Sequence, residues 1–264
     1  MKTTRKILPA LAMLLVSAIM LSTASYAWFA SNSQVEATGM HVKVKANNYY
    51  LEIAKPATTP SFSSSVELTN TLGDGSGWIE LITPEFTDND PSTLQWYLGS
   101  STDPGAVGTT KTSPKDLSTE AERDKFVLYN EVLVRMSPSS DLALTNLTLD
   151  TEAISVAVVG TSKNDPMKAA LRLLAVAYDT DDTTVLGAQI YDFGNDKKDP
   201  VEAPTLTSIG AAGCLIPEVE VGNNVYRIAL YLYFDGEDDV AITNNAANLD
   251  EYNVSVGFTA TTPG

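Results

Sequence analysis

The sequence predicts an all-β fold, a two-sheet β-sandwich of the jelly-roll kind with surface loop insertions, and three observations carry that reading. Apolar and polar residues alternate with a period of two over many short runs. Clusters of Gly, Pro, Asn and Asp separate those runs at spacings of roughly 8 to 20 residues. One run, 225–234, is apolar on both faces, as a strand covered from two sides must be. About ten strands and little helix follow from these patterns, with no internal repeat.

Taken in order, Met40, Val42, Val44 and Ala46 alternate with His41, Lys43 and Lys45, the pattern of a half-buried strand. Tyr49, Leu51 and Ile53 then alternate with Tyr50, Glu52 and Ala54. Asn47-Asn48 between them suits a tight hairpin, because Asn tolerates positive φ, or else the two runs form one long strand with a bulge. Residues 55–65 are rich in Pro, Ser and Thr and read as a loop. Short strands are expected at 66–72, 78–82 and 94–98, parted by Gly73-Asp74-Gly75-Ser76-Gly77 and Asp88-Asn89-Asp90-Pro91. Residues 103–125 form the longest break, a surface insertion closed by a capping box, Thr119 with Glu122, that opens a short helix before Phe126.

From 126 to 136, Phe126, Leu128, Asn130, Val132, Val134 and Met136 share one row, apolar apart from Asn130. Residues 142–149 and 154–159 are further strands. The segment 169–179, AALRLLAVAYD, has helix-forming composition, yet its flanking Asp-Pro and Asp-Thr-Asp-Asp favour a buried strand. In 225–234, Tyr226, Ile228, Leu230, Leu232 and Phe234 oppose Val225, Ala229, Tyr231 and Tyr233. Only Arg227 is charged there. Residues 235–239 turn the chain, and 252–260 close it with Tyr252, Val254, Val256 and Phe258 alternating against polar and small residues.

The N-terminus has a different logic. Lys2, Arg5 and Lys6 precede an uncharged run from Ile7 to Ala30, and Ser25-Tyr26-Ala27 places small residues at the −3 and −1 positions of a signal-peptidase site. Cleavage between Ala27 and Trp28 is the expectation. The same run of 24 residues, with Tyr26, Trp28 and Phe29 at its outer end, is also long enough to stay in a bilayer as an anchor. Under either reading the rest of the chain lies outside the cytoplasm, secreted, extracellular or at the cell surface. The expected organisation is a signal peptide at 1–27, an N-terminal extension at 28–39 and a sandwich domain at 40–264.

Residues 22–46, STASYAWFASNSQVEATGMHVKVKA, resemble the N-terminus of the TasA and camelysin type of bacterial biofilm-matrix proteins, whose signal peptides are processed by a dedicated SipW-type signal peptidase. The shared features are the small-aromatic-Ala boundary, the aromatic pair Trp28-Phe29, a short polar stretch, and Ala37-Thr38-Gly39 leading into an alternating strand. The resemblance implies a secreted β-sandwich subunit that polymerises by lending its N-terminal strand to a neighbour. Trp28, Phe29, Ala30, Val35 and Ala37 would then supply the docked face, and cleavage would free them. The partners implied are other copies of the chain, head to tail, and the SipW-type peptidase during export. A strand that docks on a different surface of the next copy makes a heterologous contact, which does not close and so gives a fibre. The competing reading of 28–39 is a disordered leader remnant. A rival class is a monomeric surface adhesin or glycan-binding module using Trp78, Trp96 and Tyr97, although isolated Trp in sandwiches is more often core.

Composition narrows the functions further. The chain has 17 Lys plus Arg against 33 Asp plus Glu. Residues 1–27 hold three of the positive charges and none of the negative, so the remaining 237 residues carry 14 − 33 = −19. Such a surface repels nucleic acid and anionic membrane. Cys214 is the sole cysteine, which excludes an intrachain disulfide, and its small and apolar neighbours suggest a buried, inert thiol.

His41 is the sole histidine, which excludes an HExxH zinc site; a Ser-His-Asp triad would have to use it, and no GxSxG occurs. The camelysin branch carries a peptidase label that no residue here supports. The 73–77 glycine loop lacks the Lys-Ser/Thr of a phosphate loop. The expectation is a protein that is not an enzyme and needs no cofactor. Asp179, Asp181 and Asp182, and Asp235, Glu237, Asp238 and Asp239, offer the hard oxygen ligands that Ca²⁺ takes, without EF-hand spacing. Solvated acidic turns are the competing reading, while two such loops meeting at one end of the sandwich would share an ion.

Overall fold

A computed structural model describes residues 40–46, 51–68, 81–98, 112–138, 140, 142–159, 166–194, 201–238 and 251–262. Fifteen strands lie among the described residues, in three layers. The outer sheet contains β1 (Met40–Ala46), β3 (Ser65–Leu68), β8 (Leu144–Leu149), β9 (Ser155–Val159), β13 (Ile216–Val219) and β15 (Glu251–Thr261). Its order is β13-β8-β15-β1-β3, and β9 follows β8 along the same flank of β15. The middle sheet, ordered β12-β11-β10-β14-β7-β2, contains β2 (Leu51–Ala54), β7 (Val127–Met136), β10 (Leu171–Tyr178), β11 (Val185–Asp192), β12 (Thr205–Ile209) and β14 (Tyr226–Phe234). A smaller cap sheet is formed by β4 (Ile82–Glu85), β5 (Gln95–Leu98) and β6 (Thr112–Lys115).

The all-β sandwich read from the sequence is therefore present, with a third layer added. Strand β14 explains why. Its Tyr226, Ile228, Leu230, Leu232 and Phe234 join Val254, Val256 and Phe258 of the outer sheet in one core. Its Ala229, Tyr231 and Tyr233 join Ile82 and Trp96 of the cap sheet in a second. Strand β10 is divided in the same way, with Leu171, Leu173, Ala175 and Ala177 in the first core and Leu174 and Val176 in the second. A sheet buried on both faces needs apolar residues at successive positions, and that is the composition these strands show.

Both flanks of the sandwich are laced. On one, Ile53 and Ser63 exchange both backbone hydrogen bonds, at 2.8 and 2.9 Å, before the chain crosses to β3 in the outer sheet. On the other, the Leu215 N–H donates to the Leu147 carbonyl at 2.8 Å. Gly187 of β11 lies against that segment so closely that a Cβ would sit 2.2 Å from the Cys214 carbonyl oxygen. Only glycine permits such an approach.

Several expectations are corrected. Asn47-Asn48 does not join a hairpin: β1 pairs with β15 and β3 in the outer sheet, while β2 pairs with β7 in the middle sheet. Alternation marks both segments as strands and is silent about partners. The single long strand is excluded for the same reason. The run expected at 78–82 falls mostly outside the described residues, and the strand observed is β4, which begins at Ile82. Strand β6 lies inside the supposed surface insertion, its Thr-Ser-Pro-Lys sequence giving no alternation to detect. Strands β11, β12 and β13 raise the total above the ten expected. The β1–β15 pair is parallel, whereas jelly rolls are antiparallel throughout.

Other readings hold. The segment 169–179 contains strand β10 rather than a helix. The Thr119 side chain accepts a hydrogen bond from the Glu122 N–H at 3.4 Å and caps the helical turn Glu120–Arg123.

Candidate functional site

Every residue read from the sequence as part of the cleavage site or the docking strand, Ala27, Trp28, Phe29, Ala30, Val35 and Ala37, lies outside the described residues, as do Trp78 and Asp239. What the structure does place is the strand the extension feeds. Strand β1 is interior to the outer sheet, paired with β15 from Met40↔Val254 to Ala46↔Ala260 and with β3 from Met40↔Leu68 to Lys43↔Ser65. A parallel pair cannot be made by a local turn. The N-terminal end of the domain is thus inserted beside its C-terminal strand.

The two acidic loops are placed at opposite ends of the middle sheet. Strands β10 and β14 are antiparallel, with Tyr178 level with Arg227 and Leu171 level with Phe234. Asp179, Asp181 and Asp182 therefore follow one end, and Asp235, Glu237 and Asp238 the other, some 24 Å away along the strands. An ion shared between the loops is ruled out by this pairing.

Each loop also has structural work for its carboxylates. Asp181 accepts from the Thr183 and Thr184 N–H groups and from the Thr184 hydroxyl, at 2.9, 2.8 and 2.6 Å. Those bonds, the Thr184 hydroxyl first, hold its pKa well below the usual carboxylate range. Asp182 pairs with Arg227, which also reaches Glu131 at 3.1 Å and lies over the Tyr178 ring at 3.7 Å. Asp235 accepts from the Thr83 hydroxyl at 2.7 Å and ties the cap sheet to β14. Asp238 and Asp192 flank Arg172 at 2.8 and 3.1 Å. Among the described residues no group of three or more His, Cys, Asp or Glu side chains is arranged to hold a metal ion.

His41 is level with Ser255 on β15 and Glu67 on β3, a serine, a histidine and a carboxylate in one row. Acyl transfer additionally needs N–H donors aimed at a developing oxyanion and a site that excludes water. Here the β1 backbone groups beside the row belong to the ladders with β15 and β3.

Trp96 is 5% exposed and is held against Tyr231 and Tyr233 at ring distances of 5.4 and 5.3 Å. It is a core residue that seats the cap sheet, and it offers no face to a glycan. Tyr97 is half-buried and donates its hydroxyl to Gln95 at 2.6 Å. Cys214 is buried, and burial pushes its thiol pKa up, as expected of an inert cysteine.

Sequence reasoning missed Gln189. Its Oε1 accepts from the Leu149 N–H at 2.8 Å and its Nε2 donates to Thr148 and Ser208, so it pins the middle sheet to the outer one. The sole signal was a lone amide inside an otherwise apolar run. Asn130, which the sequence does flag, occupies the same row across the sheet, through Ala175 and Leu230. Its Nδ2 is buried without a hydrogen-bond partner.

The sheet edges differ in their protection. Edge strands are normally blunted by charge, proline or cover, because their free backbone groups otherwise template pairing with another chain. Strand β13 carries Pro217 and Glu218, β6 carries Pro114 and Lys115, and β3 carries Glu67. Strand β9, Ser155-Val156-Ala157-Val158-Val159, carries neither charge nor proline and, among the described residues, pairs with β15 alone.

The chain matches no known family model, no curated protein and no solved structure.

Proposed function

We propose that this chain is an exported, non-enzymatic structural subunit of an extracellular fibre of the biofilm-matrix type, assembled as the segment 28–39 of one copy docks in extended form on the next. The observation that carries this reading is the position of β1. The extension leads directly into an interior strand of the outer sheet, so the body already contains a place where an N-terminal segment is held by ladders on both sides. Docked between copies on backbone groups that β1 does not already pair, the segment before Met40 makes a heterologous contact that propagates without closing. The likeness of residues 22–46 to the TasA and camelysin type supports export and self-assembly. The acidic surface favours a soluble subunit before assembly.

Deletion of residues 28–34 is the test. Negative-stain imaging of the exported protein should show fibres for the full mature chain and none for the deletion, with identical far-UV circular dichroism. Fibres that persist after the deletion overturn the proposal.

A further inference from the structure

We infer that β9 is a self-pairing edge, joining two copies of this chain side by side in one continuous twelve-stranded sheet. The contact does not depend on the end-to-end assembly proposed above. It follows from which backbone groups β9 leaves outward and from what flanks them.

The Asp150 N–H donates to the Gly257 carbonyl at 2.8 Å, so odd-numbered residues of β15 turn their backbone groups toward the β8–β9 flank. The register of β15 runs without a break from Ala260 to Glu251 against β1 and then β9. Asn253 and Ala157 therefore exchange hydrogen bonds, and the alternation of antiparallel ladders sends the N–H and C=O groups of Val156 and Val158 outward. No described strand meets them.

A two-fold axis through Ala157 sets the Val156 of one copy opposite the second copy's Val158, and the reverse. All four outward donors and acceptors of each strand are then satisfied. Ala157 meets its own counterpart as a non-hydrogen-bonded pair, with Cα atoms about 4.5 Å apart.

Charge selects a second copy as the occupant. A chain with net charge −16 repels its own copies over most of its surface. Along this edge the approaching residues Ser155 to Val159 are uncharged, as are Asn253 and Ser255 behind them on β15, and the one charge in the ladder, Glu251, is level with Val159 at its far end. The edge is also uninterrupted by proline, unlike β13 and β6. Strand β12 is uncharged too, but it begins just after Pro204 and stops just before Gly210, whose φ is 113°.

The test is disulfide trapping in the full exported chain under a mild oxidant. Ala157 is exposed, and Ala157→Cys places two thiols at the axis, within the Cα separation a disulfide spans. Ser155→Cys lies on the same strand and the same face, yet in this register its copies are about 13 Å apart, beyond disulfide reach. Thr207→Cys samples the β12 edge. Non-reducing gels should show Ala157→Cys as a covalent dimer at about tenfold or more over either control. Equal trapping in the three variants, or none in Ala157→Cys, overturns the inference. The same trapping in a chain lacking residues 28–34 separates this contact from the fibre: dimer that survives the deletion supports it, whatever happens to fibres, and dimer that vanishes refutes a direct β9 contact.

Discussion

The middle and outer sheets have six strands each and differ in what covers them. The middle sheet is packed on both faces, so Ala229, Leu174 and Val176, on the face turned from the sandwich core, are as buried as Leu230 and Leu173 on the other. The described side chains of the outer sheet join a single core, and on its other face only Gly257 is covered, by the turn from Asp150 to Ala153. Val254, Val256 and Phe258 are buried, while Asn253, Ser255 and Thr259 between them stay partly in water. The difference teaches where each part of the molecule can change. The middle sheet is committed to holding two layers together, whereas among the described residues the outer sheet joins a single core.

A charge placed on the far face of each sheet sharpens this contrast most. Ala229→Asp buries a carboxylate between the middle and cap sheets and should cost more than about 4 kcal/mol, seen as loss of the folded state in urea titration. Trp96→Ala removes the residue that seats the cap sheet on Tyr231 and Tyr233, for an expected loss of about 3–5 kcal/mol. Should that loss be under 1 kcal/mol, the cap sheet is no part of the cooperative unit.

Within the middle sheet, one row carries two amides with opposite prospects. Gln189→Leu strands the Leu149 N–H and should cost about 1–3 kcal/mol, whereas Asn130→Leu removes an unpaired buried donor and should stabilise by about 1 kcal/mol. Equal signs for the two would break the distinction between a paired and an orphaned amide.

Tyrosine titration tests the same burial. Burial raises the pKa of Tyr231, Tyr233 and Tyr191, and of Tyr129, which also donates to Glu131. Their folded values exceed the unfolded value of about 10. Their contribution to stability is complete below that pH and is lost as the pH rises toward the folded values. Denaturation midpoints should fall above about pH 10, with tyrosinate absorbance appearing as the protein unfolds. Tyrosinate signal assigned to Tyr231 or Tyr233 before unfolding would show that the second core is open. The smallest effect belongs to the outer sheet: Thr259→Asp on its solvent face should change stability by less than about 1 kcal/mol.

Individual elements were legible in proportion to how local their cause is. The Thr119 cap and strand β14 follow from residues a few positions apart, and both were read correctly. The β1–β2 hairpin was misread because two asparagines permit a tight turn without requiring one. Strand β6 escaped notice because an edge strand with proline and lysine lacks the pattern that burial imposes. Whether the two acidic loops meet is not legible in the sequence, and the antiparallel pairing of β10 and β14 sends them to opposite ends.

By itself the sequence determined that this chain is built of strands, that the one at 225–234 is covered twice, and that its surface is acidic, since side chains alternate with the pleat and charge is additive. Which strands pair, that β1 lies parallel to β15, and that β9 meets β15 alone among the described strands were decided only by the tertiary structure. Backbone hydrogen bonds are the same for every strand, so the choice among partners rests on which arrangement packs both cores and closes both flanks at once.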